Sequence, residues 1–405
     1  MNSVNLRRYA LSTAALALLA ACGGSQPPIQ ATQAFAHRIP ATQNYEVLYS
    51  FGNGADGANP AAALVALSNG SGCCFYGTTQ YGGKYNKGTV FGYGAAGEAV
   101  LHSFGAGSDG VSPQSGLVEV NGALYGTTPY GGKNGDGTVF SVNPTTGAET
   151  VLLDFNGHDG ALPFSGLLDV SGTLYGTTYE GGDGNRGVVY GITTSGTQKV
   201  VYSFHGRPHG GNPDGASPIG GLISMDGLLY GTTDQGGNSG DGTVFSLNPA
   251  TGVETVLHAF DGSDGANPWV GLLDVSGTLY GTAQGGGTNG DGTIFKLIPP
   301  TKVRPIAFAV VHDFVAAEGA RPRAPLVNFD NELYGTTSFG GASDKGAMYN
   351  ISLQGALGET HSFAGGPGDG SQPWAGVLLM DGTLYGTTLK GGLYRKGAIF
   401  LCEFC

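Results

Sequence analysis

Hydrophobic and polar positions alternate in short runs along most of the chain, and the runs recur in groups of four. In one group they are GLLDV (166–170), TLYGTT (173–178), VVYGI (188–192) and KVVYSF (199–204). Each is rich in β-branched and aromatic side chains and is bounded by glycine-bearing turns, which predicts strands. Ser171-Gly172, between the first two runs, is a two-residue hairpin signal. Each group is expected to fold as one small twisted antiparallel sheet, its strands called A to D in chain order.

The group is written seven times. Aligned on the tyrosine of LYGTT, the copies fall at Tyr76, Tyr125, Tyr175, Tyr230, Tyr280, Tyr334 and Tyr385, spaced 49, 50, 55, 50, 54 and 51 residues apart. In every copy a Gly-Gly pair begins six residues after the tyrosine and another glycine stands twelve after it, so this stretch has a fixed backbone path. A period near fifty is that of kelch-type blades. The ends of the pattern are offset: NYEVLYSF (44–51) is a D strand without its A, B and C, and GAIF (397–400) is a C strand lacking a D. An open solenoid has no use for that offset. A ring does, because the first strand completes the last sheet, held by backbone hydrogen bonds at about 1 kcal/mol net each. The expected fold is all-β, a seven-bladed β-propeller of four-stranded antiparallel blades, closed by the N-terminal strand.

The repeated phrase LYGTT…GG…GTVF…VL.SF resembles the GloVer tandem repeats of exported bacterial proteins, and the likeness covers residues 44–403. That resemblance implies kelch-like tandem-repeat architecture on varied surface anchors. It implies no reaction.

Composition adds location and excludes one class of partner. Gly is 76 of 405 residues and charged residues are only 12%, with 19 Tyr and 19 Phe, which suits many short strands and tight turns. A net charge of −12 disfavours nucleic acid, whose binding needs basic patches to release counterions. Residues 1–21 read as a signal peptide: Arg7-Arg8, a short apolar run, then Leu19-Ala20-Ala21 before Cys22. The small residues before that cysteine resemble a lipobox, which implies acylation of Cys22. Gly23 in place of Asp implies an outer-membrane lipoprotein, on the periplasmic side or the cell surface; a plain signal peptide is the alternative. Residues 22–43 are expected to be a flexible tether and 44–405 the propeller, a monomer held at the membrane by its lipid.

Four further cysteines lie near the expected seam. Cys73 and Cys74 end an A–B hairpin four residues longer than in the other copies, and Cys402 and Cys405 trail the last C strand. In an oxidising compartment these predict disulfides from Cys73/Cys74 to Cys402/Cys405 across the closure. Local bridges, Cys73–Cys74 and Cys402–Cys405, and a zinc site are the alternatives.

Candidate chemistry is sparse. The D–A connections share an acidic residue before glycine (Asp56, Asp109, Asp159, Asp214, Asp264, Glu318, Asp369), read as a turn device with cation binding as the alternative. The proline that follows leads into a position that varies between copies: Ala61, Gln114, Phe164, Ile219, Trp269, Arg323 and Trp374. Phe164, Trp269, Arg323 and Trp374 are residue types that dominate binding energy, and Tyr81, Tyr130, Tyr179 and Phe339 of the B–C loops join them as ligand-binding candidates. Filling of gaps between blades is the competing role for these rings. His102, His258, His312 and His361 occupy one repeated slot, which marks architecture. His205, His209 and Asp214 are a weak metal candidate. Two literal G-x-G-x-x-G matches open no helix, so no cofactor is expected. The expected function is a non-catalytic binding module for a glycan or protein ligand, acting through its upper face. An extracellular polymer-processing enzyme of glycoside hydrolase or lyase type and a passive envelope scaffold are the alternatives.

Overall fold

The computed structural model describes residues 44–52, 55–67, 73–206 and 214–403. The expected signal peptide (1–21), Cys22, the tether (22–43), His209 and Cys405 lie outside the described residues.

Seven antiparallel sheets of A, B, C and D strands follow one another along the chain. In the third blade they span Leu168–Val170, Thr173–Thr178, Val188–Thr193 and Gln198–Ser203, within two residues of the sequence reading. Ser171 and Gly172 take φ of 54° and 85°, both positive as a type I′ turn demands. Every C–D pair carries a register shift, which increases strand twist.

The offset ends meet as expected. Asn44–Ser50 is the D strand of the seventh blade, pairing antiparallel with Ala398–Glu403 from Asn44↔Glu403 to Ser50↔Ala398. The ring is closed by its first strand.

The core is divided into seven inter-blade clusters. At each, the phenylalanine ending a D strand meets the C-strand ring of the next blade edge to face, from Phe104–Phe140 at 5.0 Å to Phe363–Phe400 at 5.5 Å. The seam has the same pair, Phe51–Phe91 at 5.1 Å. Such pairs contribute about 0.5–1.5 kcal/mol beyond area burial. The glycine of LYGTT makes room for that ring: a Cβ on Gly77 would sit 2.7 Å from Phe91, and one on Gly126 2.7 Å from Phe140.

The threonine after that glycine ties the blades together near the axis. Thr78, Thr127, Thr177, Thr232, Thr282, Thr336 and Thr387 each donate through Oγ1 to a carbonyl in the segment that leads into the A strand of the next blade. The bond across the seam, Thr387 to Ala62 O, is 3.0 Å.

The expected disulfide clamp is corrected. Cys402 is fully buried with Tyr334, Met348, Phe363 and Leu384, in the cluster between blades six and seven. Its neighbour Leu401 faces the first blade instead, beside Leu64, Phe75 and Phe91. Successive strand residues point to opposite faces, so Cys402 is turned away from the blade that holds Cys73 and Cys74. Cys402 is itself disulfide-bonded, to a side chain outside those described; the side chains of Cys73 and Cys74 are outside them too.

Candidate functional site

The D–A connections deliver each variable residue to the axis, and their acids hold those connections in shape. Asp109 accepts from Gly105 N at 2.8 Å and lies 3.2 Å from His102 Nε2. His258–Asp264, His312–Glu318 and His361–Asp369 repeat the contact, and Tyr49–Asp56 and Tyr202–Asp214 replace the imidazole with a phenol. The second blade has Leu153 in that slot, and there Asp159 accepts from Asn156 N and Nδ2 instead. These carboxylates cap local donors, as the turn reading requires.

Asp214 therefore has structural work: it accepts from Tyr202 OH and from the amides of His205 and Gly206. His205 Nδ1 stands 3.6 Å from it. Among the described residues no group of three or more His, Cys, Asp or Glu is arranged to hold a metal.

The residue before each proline is locked between two blades. Asn59, Ser112, Leu162, Ser217, Asn267, Arg321 and Gln372 all have φ of 54–57°. Their amides donate to the B–C loop of the preceding blade, as in Leu162 N to Asp136 O at 2.9 Å. Left-handed backbone is costly for residues other than glycine and asparagine, so it persists only where both neighbours hold it. Clamped ahead by these bonds and behind by the Thr carbonyl bonds, the residue after each proline has one direction to take.

That direction is inward. All seven variable positions line a single cavity of about 650 Å³ at the axis, with Tyr130 and Tyr179 on its wall. The volume lies within the range of small-ligand pockets, roughly 300–1,000 Å³. The wall is uneven: Ala61 to Ala63 leave it low at the first blade, and Trp269, Arg323 and Trp374 raise it at the fifth to seventh. Among the described residues on that wall, Arg323 is the one charged side chain, and none is a carboxylate or an imidazole.

Arg323 and the two tryptophans form one unit. The guanidinium carbon lies 4.3 Å from the Trp269 ring centroid and 5.2 Å from that of Trp374, and the two rings cross at 78° with centroids 6.4 Å apart. Arg323 Nε donates to Gln284 Oε1 at 2.7 Å. Among the described residues nothing else hydrogen-bonds the guanidinium. Burial lowers its pKa, as does nearby Arg321, while Asp234 opposes the shift. Asp234 stands behind the wall, with Gln235, Asn267 and Trp269 as hydrogen-bonding neighbours, and burial raises its carboxyl. Trp374 Nε1 is buried without a partner among the described residues. Opposite, Phe164 meets Tyr130 and Tyr179 edge to face at 6.2 and 6.0 Å.

Six of the eight aromatic and arginine candidates therefore converge: Phe164, Trp269, Arg323, Trp374, Tyr130 and Tyr179. Tyr81 is 49% exposed and stands off the wall. Phe339 lies under Arg321, at 5.3 Å, and also lies away from the cavity. Sequence reasoning missed Gln284 and Asp234. Both occupy the position directly after LYGTT or its variant, which also differs between copies, and that variation was the available signal.

The family described as Gloeobacter/Verrucomicrobia repeat matches residues 30–216 and 304–403. No curated protein matches the chain. Solved structures resemble it in fold at low identity. A protein described as a candidate 6-phosphogluconolactonase from Bacteroides uniformis is 15% identical, with a TM-score of 0.47 over 80% of this chain and 87% of that one. The nidogen/laminin complex gives 14% and 0.41 over 68% and 90%, and TolB from Acinetobacter baumannii 10% and 0.38 over 66% and 60%.

Proposed function

The chain belongs to the Gloeobacter/Verrucomicrobia repeat family, and on that premise we propose that it is a non-catalytic binding module whose axial cavity takes a glycan or protein ligand. One observation carries this reading: the scaffold is repeated seven times, while the seven positions that differ line the same cavity. Trp269, Trp374, Phe164, Tyr130 and Tyr179 supply flat apolar faces on which sugar rings or aromatic side chains stack. Arg323 and Trp374 Nε1 supply donors. Glycoside hydrolysis uses two carboxylates flanking the scissile bond, and the described wall offers neither.

The same reading places the protein at the cell envelope. Export by residues 1–21, acylation at Cys22 and a tether over 22–43 would hang the propeller from the outer membrane, where a lipid chain contributes about 0.8 kcal/mol per buried methylene.

The test is a glycan and peptide binding panel on the wild type and on Trp269→Ala and Trp374→Ala. Truncating a central aromatic anchor typically costs about 2 kcal/mol or more, so affinity for the true ligand should fall roughly thirtyfold. Unchanged binding in both variants would contradict the cavity as the site.

A further inference from the structure

The upper face is electrically lopsided. The B–C loops of the seventh blade (389–397, LKGGLYRKG) and the first (80–88, QYGGKYNKG) carry Lys84, Lys87, Lys390, Arg395 and Lys396 and no acid. All five are exposed, and among the described residues none forms an ion pair. They account for five of the 18 basic residues of a chain whose net charge is −12. The corresponding loops of blades three to five (179–187, 234–242 and 284–292) carry Glu180, Asp183, Asp234, Asp241 and Asp291 against Arg186 alone. Tyr81, Tyr85, Leu393 and Tyr394 are exposed among the cations, so the patch is aromatic as well as basic.

This patch is continuous with the cavity. Both loops pin the connection that leads to Ala61: Lys396 O accepts from Asn59 N at 2.7 Å, and Gly83 N and Gln80 N donate to Asp56 O and Asn59 O. Ala61 is the smallest of the variable side chains, so the cavity lining is least bulky at the connection that these two loops pin. Two blades from Ala61 on the same wall stands Arg323, whose guanidinium has donors to spare in a largely apolar setting.

We propose that the ligand is an acidic polysaccharide bearing ring carboxylates, such as a polyuronate. One uronate ring occupies the cavity against Trp269 and Trp374 with its carboxylate on Arg323, and the following units leave over Ala61 and cross the cationic loops of blades one and seven. This inference rests on the binding reading above and adds the charge and direction of the chain. A guanidinium matches a carboxylate in planar, bidentate geometry, whereas exposed lysines attract a polyanion without fixing its sequence. Sugar rings also account for the exposed tyrosines, because each pyranose offers an apolar face to an aromatic ring.

Calorimetric titration of the full chain with tetragalacturonate, and with its fully methyl-esterified form, tests the assignment. The acid form should bind at least about tenfold more tightly than the ester, and Arg323→Gln should abolish most of that preference. The triple variant K390Q/R395Q/K396Q should weaken acid binding about tenfold and flatten its loss between low salt and about 0.3 M salt. Equal affinity for acid and ester would overturn the assignment while leaving a neutral ligand for the cavity. Failure of both forms to bind would also overturn it. Acid binding that survives Trp269→Ala and Trp374→Ala but needs the three cations would remove the cavity itself from the account. Binding to phosphatidylglycerol vesicles, with the same cation dependence and no oligosaccharide binding, would assign the patch to a lipid surface and overturn the proposal.

Discussion

At the residue scale, the phrase LYGTT is a compressed set of packing instructions. Leu and Tyr enter two different inter-blade clusters, as Leu124 and Tyr125 do. Glycine leaves room for the C-strand ring, the first threonine reaches the next blade, and the second contacts the start of the C strand, as in Thr79 to Thr89 at 2.8 Å. Gly231→Ala tests this assignment. Its Cβ would sit 2.7 Å from the Phe245 ring, whose atoms are fully buried and cannot retreat. Overpacking of this kind costs about 1–3 kcal/mol, read as a lower denaturant midpoint with an unchanged slope. A midpoint equal to wild type would mean that the glycine serves some other purpose. The repeat made the glycine legible in sequence, but not what it made room for, since that ring arrives from fourteen residues away.

At the element scale, strand identity, order and hairpin turns were readable because short alternating runs and Ser-Gly or Asn-Gly pairs carry local signals. What lay beyond reading was mostly non-local. The D–A connection clasps the B–C loop of its own blade, as in Gly57↔Gly82 and Gly370↔Gly391, through pairs too short to leave a pattern. The direction of Cys402 was likewise hidden, because strand parity relative to a distant blade decides it. The D strands also carry a pH signature. Burial, aided by carboxylates of the neighbouring blade, pushes Glu98 (beside Asp56), Glu149 (beside Asp109) and Glu254 (beside Asp214) up to about 7 from 4.5. A carboxyl whose folded pKa is raised holds its proton longer in the folded state, so stability falls as pH rises from about 4.5 through 7. The variant E98Q/E149Q/E254Q should therefore lose part of that decline when denaturation midpoints at pH 5 and 7.5 are compared. His258, whose pKa burial lowers, contributes in the opposite direction and is retained in the variant. An identical pH slope in variant and wild type would show that these carboxyls stay solvated.

At the scale of the whole molecule, the offset between the first and last strands was the most informative feature of the sequence, and it places Asn44–Ser50 beside Ala398–Glu403. Closing the ring brings to one axis residues that the chain spreads from Ala61 to Trp374. Sequence alone marked these positions as variable. It could not show that they share one cavity, nor that Tyr81 and Phe339 stand outside it, because side-chain direction at a channel mouth depends on the clamped backbone before each proline. The same closure sets the two cationic loops side by side, although they are about 300 residues apart in sequence. The central claim, that this axial cavity is the binding site, has a built-in reporter. The chain contains two tryptophans, and both stand in the cavity, stacked with Arg323. Tryptophan emission should change saturably as tetragalacturonate is added, with the same midpoint as the calorimetric titration. Calorimetric saturation with emission unaltered throughout would show that the ligand binds elsewhere.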